Sequence, residues 1–489
     1  MIKSSRDKIY IILLFFFIAS FFSCQRKHEK LPEKVIEITE PVDVQVSRLL
    51  KFEFKQYVID SVLSIDGDTL LTSSWIYRFM KQNNFNPSWT KDFILLPVAN
   101  SLLSVIDSAS MYGLLPDDYG IRELKQKINL INDTVKKKIN ITRICELNIL
   151  LTDAFFRIAT DLNKGRLNPD SLTREWKGDS SDTAIVSILI QALTTNRIRE
   201  TINFFEPAAE QYQLLKNHLS DTLDSGQFEK IIVNLERWRW EKKYNEDYYV
   251  NINIPSYSLK YFSCDSLSVH SRIIVGKPTT QTPNRLDSKI SYFYVYPYWQ
   301  VPLSISTKEI LPTLKKDTSY FTKHNMDLLD AYGNQIEPAG INWNKYSEKY
   351  FPFILRQRDG DENTLGVLKF IFSNPYDIYL HDTNARNLFN KEKRSLSHGC
   401  IRVKEANKLA NKFIDCCVIN FNADSLKTYL KNKERKRVNL FNRIPIHIRY
   451  YTSEVDNKGI HFYDDIYELD KKMIENLNQK DSNKIDLVL

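Results

Sequence analysis

The spacing of apolar residues changes near residue 243, and that change divides the chain. From about 45 to 220 they recur at helical intervals. Val98, Leu102, Ile106 and Ala109 share one face of a helix predicted from Pro97 to Tyr112, with Gly113 placed to stop it. Ile144, Leu147, Leu151, Ala154, Phe155 and Ile158 form a second stripe with Gly165 beyond it. Such stripes are core by default. A last helix is expected from about Phe228 to Lys242.

Beyond it the period falls to two. Tyr248 to Ile254 and Ile290 to Tyr296 alternate apolar with polar, and Ile273-Ile-Val275 is an apolar run closed by Gly276. Leu368 to Phe372 and Tyr376 to His381 read as strands flanking a turn at Ser373-Asn-Pro375, and Ile444 to Tyr450 as a further strand. Between about 303 and 355 the pattern is irregular, with short helices predicted at Glu309–Leu314 and Tyr346–Tyr350. An insertion of that length beside a site suits a lid. The fold class expected is therefore multidomain α+β, an all-α domain over 45–227 followed by a mainly β domain over 228–477 with the insertion at 303–355 and a tail at 478–489.

The N-terminus changes the picture. Lys3, Arg6 and Lys8 precede an apolar run from Ile9 to Phe22, short for a membrane span and suited to a signal peptide. It ends at Phe21-Phe-Ser-Cys24, which resembles a bacterial lipobox, so Cys24 is the expected lipidation site; a retained N-terminal anchor is the alternative. Both place the body outside the cytoplasm, in a bacterial periplasm, tethered to a membrane by the charged, proline-punctuated linker 25–44. The net charge of +8 is spread along the chain, and no nucleic-acid-binding module is recognisable. No CxxC or HExxH pattern occurs, so neither a metal nor a cofactor is expected. Apart from Cys24 there are five cysteines, an odd number that leaves at least one thiol free in an oxidising compartment. Cys416 and Cys417 follow an apolar helical run and are expected to be buried rather than bridged.

The candidate chemistry lies in Ile378-Tyr-Leu-His-Asp-Thr383 and Ser395-Leu-Ser-His-Gly-Cys-Ile-Arg-Val403. A thiol needs a base to become a nucleophile, and the base needs an orienter. Cys400 is the candidate nucleophile and His381, nineteen positions earlier, the base. The carbonyl of Asp382 is placed to receive the other imidazole N–H. Gly399 permits a tight turn in which successive amides near Cys400 face a developing oxyanion. Arg402 falls on the same strand face as Cys400 and suits a substrate carboxylate. A cysteine of this type is expected to ionise below the ordinary thiol range. Each residue alone has a bland alternative: a buried thiol, a turn-capping aspartate, an arginine paired with Glu405. Histidine preceding cysteine, with the thiol on a turn between strands, argues against a papain-like enzyme.

These residues resemble the YkuD-type L,D-transpeptidases, whose signature is a histidine followed later by (S/T)-(H/S)-G-C. The resemblance runs from roughly 50 to 470 and includes Tyr112-Gly-Leu-Leu-Pro116, Leu151-Thr-Asp-Ala-Phe155, Asn234 to Trp240, Val275-Gly-Lys277, Tyr296 to Pro302, Glu309 to Pro312, Arg356-Gln357, Asn363 to Gly366 and Lys369-Phe370. It is closest to the large subclass with a helical scaffold domain and a substrate-capping insertion. Two departures are evident: Leu215 to Phe228 leaves no room for a peptidoglycan-binding module, and Arg358-Asp-Gly360 stands where Pro-Gly is usual. The resemblance implies attack by Cys400 on a peptidoglycan stem peptide with loss of D-alanine, then a 3→3 cross-link, or hydrolysis if water is the acceptor. It also implies Ser397 and His398 lining the site, amides of Gly399 and Cys400 as the oxyanion hole, and Trp343 closing over the peptide. A non-catalytic wall-scaffolding lipoprotein is the reading from another class.

Overall fold

The computed structural model describes residues 40–60, 63–132, 141–174, 183–220, 223–242, 246–264 and 266–479. The export signal, Cys24, most of the tether and most of the C-terminal tail lie outside the described residues. Among the described residues no helix is long and apolar enough to cross a membrane.

The N-terminal half is helical, as the periodicity predicts. Its longest helix, Ile141–Lys164, buries Leu147, Leu151, Phe155 and Ile158 at the predicted spacing. Pro97–Asp107 starts with proline at its first turn, where a missing N–H costs nothing. Gly113 follows in a left-handed conformation at φ 71°. The first described helix begins at Val42, inside the stretch expected as linker.

One helix joins the halves. Ser225–Arg239 is N-capped by Asp224 in a capping box with Gln227. Its Glu236, fully buried, accepts the Leu167 amide at 2.7 Å and pairs with Arg239 at 3.1 Å. Arg239 reaches back to the Tyr112 carbonyl, while Arg237 pairs with Asp470 at 2.7 Å on the other side. These buried charges are matched one for one, as burial requires.

The second half is built on nine strands: β1 (Tyr248–Asn253), β2 (Ser258–Ser263), β3 (Ser266–Gly276), β4 (Leu286–Val295), β5 (Leu368–Phe372), β6 (Leu380–His381), β7 (Ser395–Ser397), β8 (Ile401–Val403) and β9 (Lys436–Arg449). Their order is β7-β3-β8-β6-β5-β4-β9-β1-β2, and β2 also pairs with β3, so the sheet closes on itself. Alternation sends Ile273, Val275, Phe293, Phe370, Leu380, Ile401 and Ile446 to one core, shared with Leu409 and Phe413 of helix Ala406–Cys417. The predicted strand 376–381 is shorter than its pattern. Asp377 has φ 53° and Asn374 caps the turn through its side chain, leaving Leu380 and His381 in the ladder.

The insertion is more ordered than its sequence suggests. A four-stranded antiparallel sheet, Gln335–Ile336, Met326–Leu329, Ile354–Gln357 and Trp299–Gln300, carries a helical segment from Leu303 to Leu314. That segment includes a π-turn at Ser306–Ile310, ahead of Pro312, which brings no N–H to the ladder. Tyr346–Tyr350 is not helical: Ser347 and Tyr350 form a tight antiparallel bridge. Trp343, expected over the substrate, is only 4% exposed and packs against Phe321 and Phe353 in the cap's own core. Cys416 and Cys417 are bonded to each other, not separately buried as expected; Cys145, Cys264 and Cys400 are free.

Candidate active site

Register assembles the site. Parallel pairing of β6 with β8 sets Leu380 opposite Ile401 and His381 opposite Arg402. Leu380 and Ile401 point into the core, so Tyr379, His381, Cys400 and Arg402 share the opposite face. Antiparallel β5 adds Lys369 beside His381. A row Lys369–His381–Arg402 therefore crosses three strands, with Cys400 one position before the last of them.

The thiol turn is held from behind. Gly399 has φ 110°, a conformation side chains resist. Ser397 donates its hydroxyl to the Cys400 carbonyl at 2.6 Å and accepts the Gly399 amide at 3.2 Å. Thr282, fully buried, donates to the Gly399 carbonyl at 2.8 Å and accepts the Gly276 amide at 2.9 Å. Tyr467 closes the set by donating to the Gly276 carbonyl at 2.8 Å. A Cβ on Gly276 would stand 2.1 Å from the Thr280 carbonyl, so only glycine fits this crossing.

Two expectations change here. The Gly399 amide is satisfied within the turn, so it does not face the site; among the described residues the Cys400 amide has no such acceptor and is the donor left for an oxyanion. Ser397 is 3% exposed and shapes the turn instead of lining the site. His398 points away to the cap, its Nε2 2.6 Å from Glu309 Oε1.

Burial pushes the Cys400 thiol up from its ordinary value, against the opposing pull of hydrogen bonds from Tyr379 and the charges of Lys369 and Arg402. The depressed thiol expected from the sequence is not what this environment produces. His381 is 3% exposed, and burial, with Arg402 and Lys369 nearby, lowers its pKa to about 3; the backbone oxygens of Asp382 and Leu365 oppose the fall. Both shifts favour a neutral thiol and a neutral imidazole at rest.

The backbone oxygen of Asp382 lies close enough to His381 to act on its pKa, yet His381 Nδ1 is buried without a hydrogen-bond partner among the described residues, and the Asp382 carboxylate is anchored elsewhere. It accepts the Val367 amide at 3.2 Å and pairs with Arg386 at 2.5 Å. Burial nevertheless raises its pKa. Gly366 packs so close that an added Cβ would lie 2.5 Å from Asp382 Oδ2. Arg402 does not take Glu405, which pairs with Lys408 at 3.2 Å.

Sequence reasoning missed Lys369, Tyr379, Thr282 and Glu309 as members of the site. The first two sit inside quoted motifs, and strand alternation from His381 reaches Tyr379 directly. Glu309 opens another quoted segment, though only tertiary packing brings it to the turn; Thr282 carries no local signal.

The profile of the L,D-transpeptidase catalytic domain (YkuD) matches residues 247–418, and that of the Scaffold domain matches 74–219. A Haemophilus influenzae protein named "Putative L,D-transpeptidase" is 34% identical over 458 residues, covering 93% of this chain and 90% of its own. The chain belongs to the L,D-transpeptidase family. In this L,D-transpeptidase the residues matched to the catalytic domain carry β1 to β8 and the helix Ala406–Cys417, and the matched scaffold region lies within the helical half.

Proposed function

We propose that this L,D-transpeptidase forms 3→3 cross-links between peptidoglycan stem peptides through a thioester on Cys400. His381 takes the thiol proton as sulfur attacks the carbonyl carbon of the third residue. The oxyanion is met by the Cys400 amide. The C–N bond to the terminal D-alanine then breaks, and His381 returns its proton to the departing amine. A side-chain amine of a second stem attacks the thioester, loses its proton to His381, and the thiol reforms. With water as acceptor the same intermediate gives L,D-carboxypeptidase activity. The N-terminal signature suits a lipid-anchored periplasmic protein.

The observation that supports this reading is the pairing of His381 opposite Arg402 on adjacent parallel strands, with Cys400 at the end of the turn that leads into the second of them. Mass spectrometry of tetrapeptide muropeptides incubated with the protein, beside Cys400→Ala, tests it. A dimer lighter by one D-alanine and absent in the variant supports transpeptidation. Tripeptide monomer alone supports the hydrolytic reading. No conversion by an alkylatable Cys400 would sink both.

A further inference from the structure

Buried cations in this protein are, as a rule, partnered. Arg166 meets Asp118, Arg237 meets Asp470, Arg239 meets Glu236, and Arg449 meets Glu241 at 2.7 Å. Arg394, lacking an acid, donates to four backbone carbonyls, including Ile273 at 3.0 Å and Tyr257 at 3.2 Å. Lys369 and Arg402 break this pattern. Both are half-buried, yet among the described residues neither has an acidic partner within ion-pair distance. The Arg402 Nε is buried with no acceptor. The Lys369 ammonium lies over the Tyr379 ring, 3.8 Å from its centroid, and near the Cys400 thiol.

Desolvating two cations without counter-charge is unfavourable. Their position says what compensates. They flank His381 in one cross-strand row, one strand to either side, so their backbones stand about 10 Å apart. Side chains of that length converge on a group between them. Cys400 stands two residues before Arg402, so the same row of the sheet leads to the thiol.

We propose that Lys369 and Arg402 form a two-cation cradle for a carboxylate of the donor peptide, binding it astride the His381 base. This rests on the reading that Cys400 attacks a stem peptide. Two carboxylates of such a peptide qualify: that of the terminal residue, two bonds past the scissile nitrogen, and the side-chain carboxylate of the third-residue diamino acid. Arg402 supplies a bidentate fork and Lys369 a point charge. The cradle would select peptides with the acid in place. It also holds down the His381 proton affinity until an anion arrives, when that field is partly cancelled and the imidazole becomes a better base.

Equilibrium binding of synthetic tetrapeptides to Cys400→Ala protein, with and without Lys369→Met, is the test. Three peptides are compared: the natural form, a C-terminal carboxamide, and one with lysine as third residue. Tenfold or weaker binding of one altered peptide, with that difference largely removed in Lys369→Met and restored in Lys369→Arg, is the expected result and identifies which carboxylate is held. Equal affinity for all three, or equal losses for all three in Lys369→Met, overturns the cradle, as does no binding of any. A lysine that served only the thiolate would instead shift the alkylation midpoint of Cys400 upward in Lys369→Met without changing peptide preference. Release of D-alanine by the wild type from the same peptides reports on the transpeptidase reading separately.

Discussion

His398 Nε2 lies 2.6 Å from Glu309 Oε1, joining the Cys400 turn to the π-turn of the insertion. The two side chains are 36% and 52% exposed, so the contact is worth no more than about 1 kcal/mol. It is a weak tie between two rigid parts.

Glu309→Ala is therefore expected to leave the thermal midpoint within about 1–2 °C while the cap loosens. Hydrogen exchange in Leu303–Leu314 should rise several-fold in the variant. Unchanged exchange there would mean that the cap is held by its other contacts alone.

The Ser397 hydroxyl makes two hydrogen bonds inside the thiol turn, to the Cys400 carbonyl and from the Gly399 amide. Ser397→Ala leaves both groups unpaired at a cost of about 1–3 kcal/mol. Acylation by peptide should fall at least tenfold, because the freed Gly399 segment no longer fixes the sulfur. Alkylation by a small reagent should fall far less. Equal losses in both assays would point to general unfolding of the turn.

Much of this was legible in the sequence. Period-two alternation located the strands that matter, and their register sets His381 opposite Arg402. The failures share one physical cause: hydrogen bonds and packing that cross long sequence distances leave no periodic trace. Nothing near Gly399 tells that Thr282 and Tyr467 brace its turn; the bond from its amide to Ser397, two residues away, is local and is the exception. Trp343, which the resemblance implied over the peptide, lies in the cap's own core, and the small sheet around it is assembled from strands of two to four residues that leave little periodic trace. Burial, which reversed the expected thiol shift, is likewise a property of the fold and not of the motif.

The pH behaviour follows from that burial. His381 is driven to about 3, below its unfolded value, so between those two values the unfolded chain binds the extra proton. Stability contributed by neutral His381 is present above the ordinary histidine range and declines as pH falls toward 3, by at most about 1.4 kcal/mol per pH unit. Denaturant titrations at stepped pH should show this slope, and His381→Gln should flatten it. Cys400, raised by burial, should alkylate with a midpoint above that of a free cysteine. A midpoint well below the ordinary thiol range would contradict the neutral resting pair.

Gly366 gives the sharpest test of how the base is oriented. It lies at φ 62°, and an added Cβ would stand 2.5 Å from Asp382 Oδ2 and 2.6 Å from the Thr383 amide. Gly366→Ala must move Asp382, and with it the backbone oxygen that faces His381, besides incurring about 1 kcal/mol for the backbone conformation. The expected signature is a fall in kcat of tenfold or more, with KM for peptide nearly constant, because the cations on β5 and β8 stay in place. Asp382→Asn probes the same link from the other side. It retains the backbone carbonyl, so it should keep most of the activity that Gly366→Ala loses. Severe inactivation by Asp382→Asn with Gly366→Ala nearly silent would assign the orienting role to the carboxylate instead of the carbonyl.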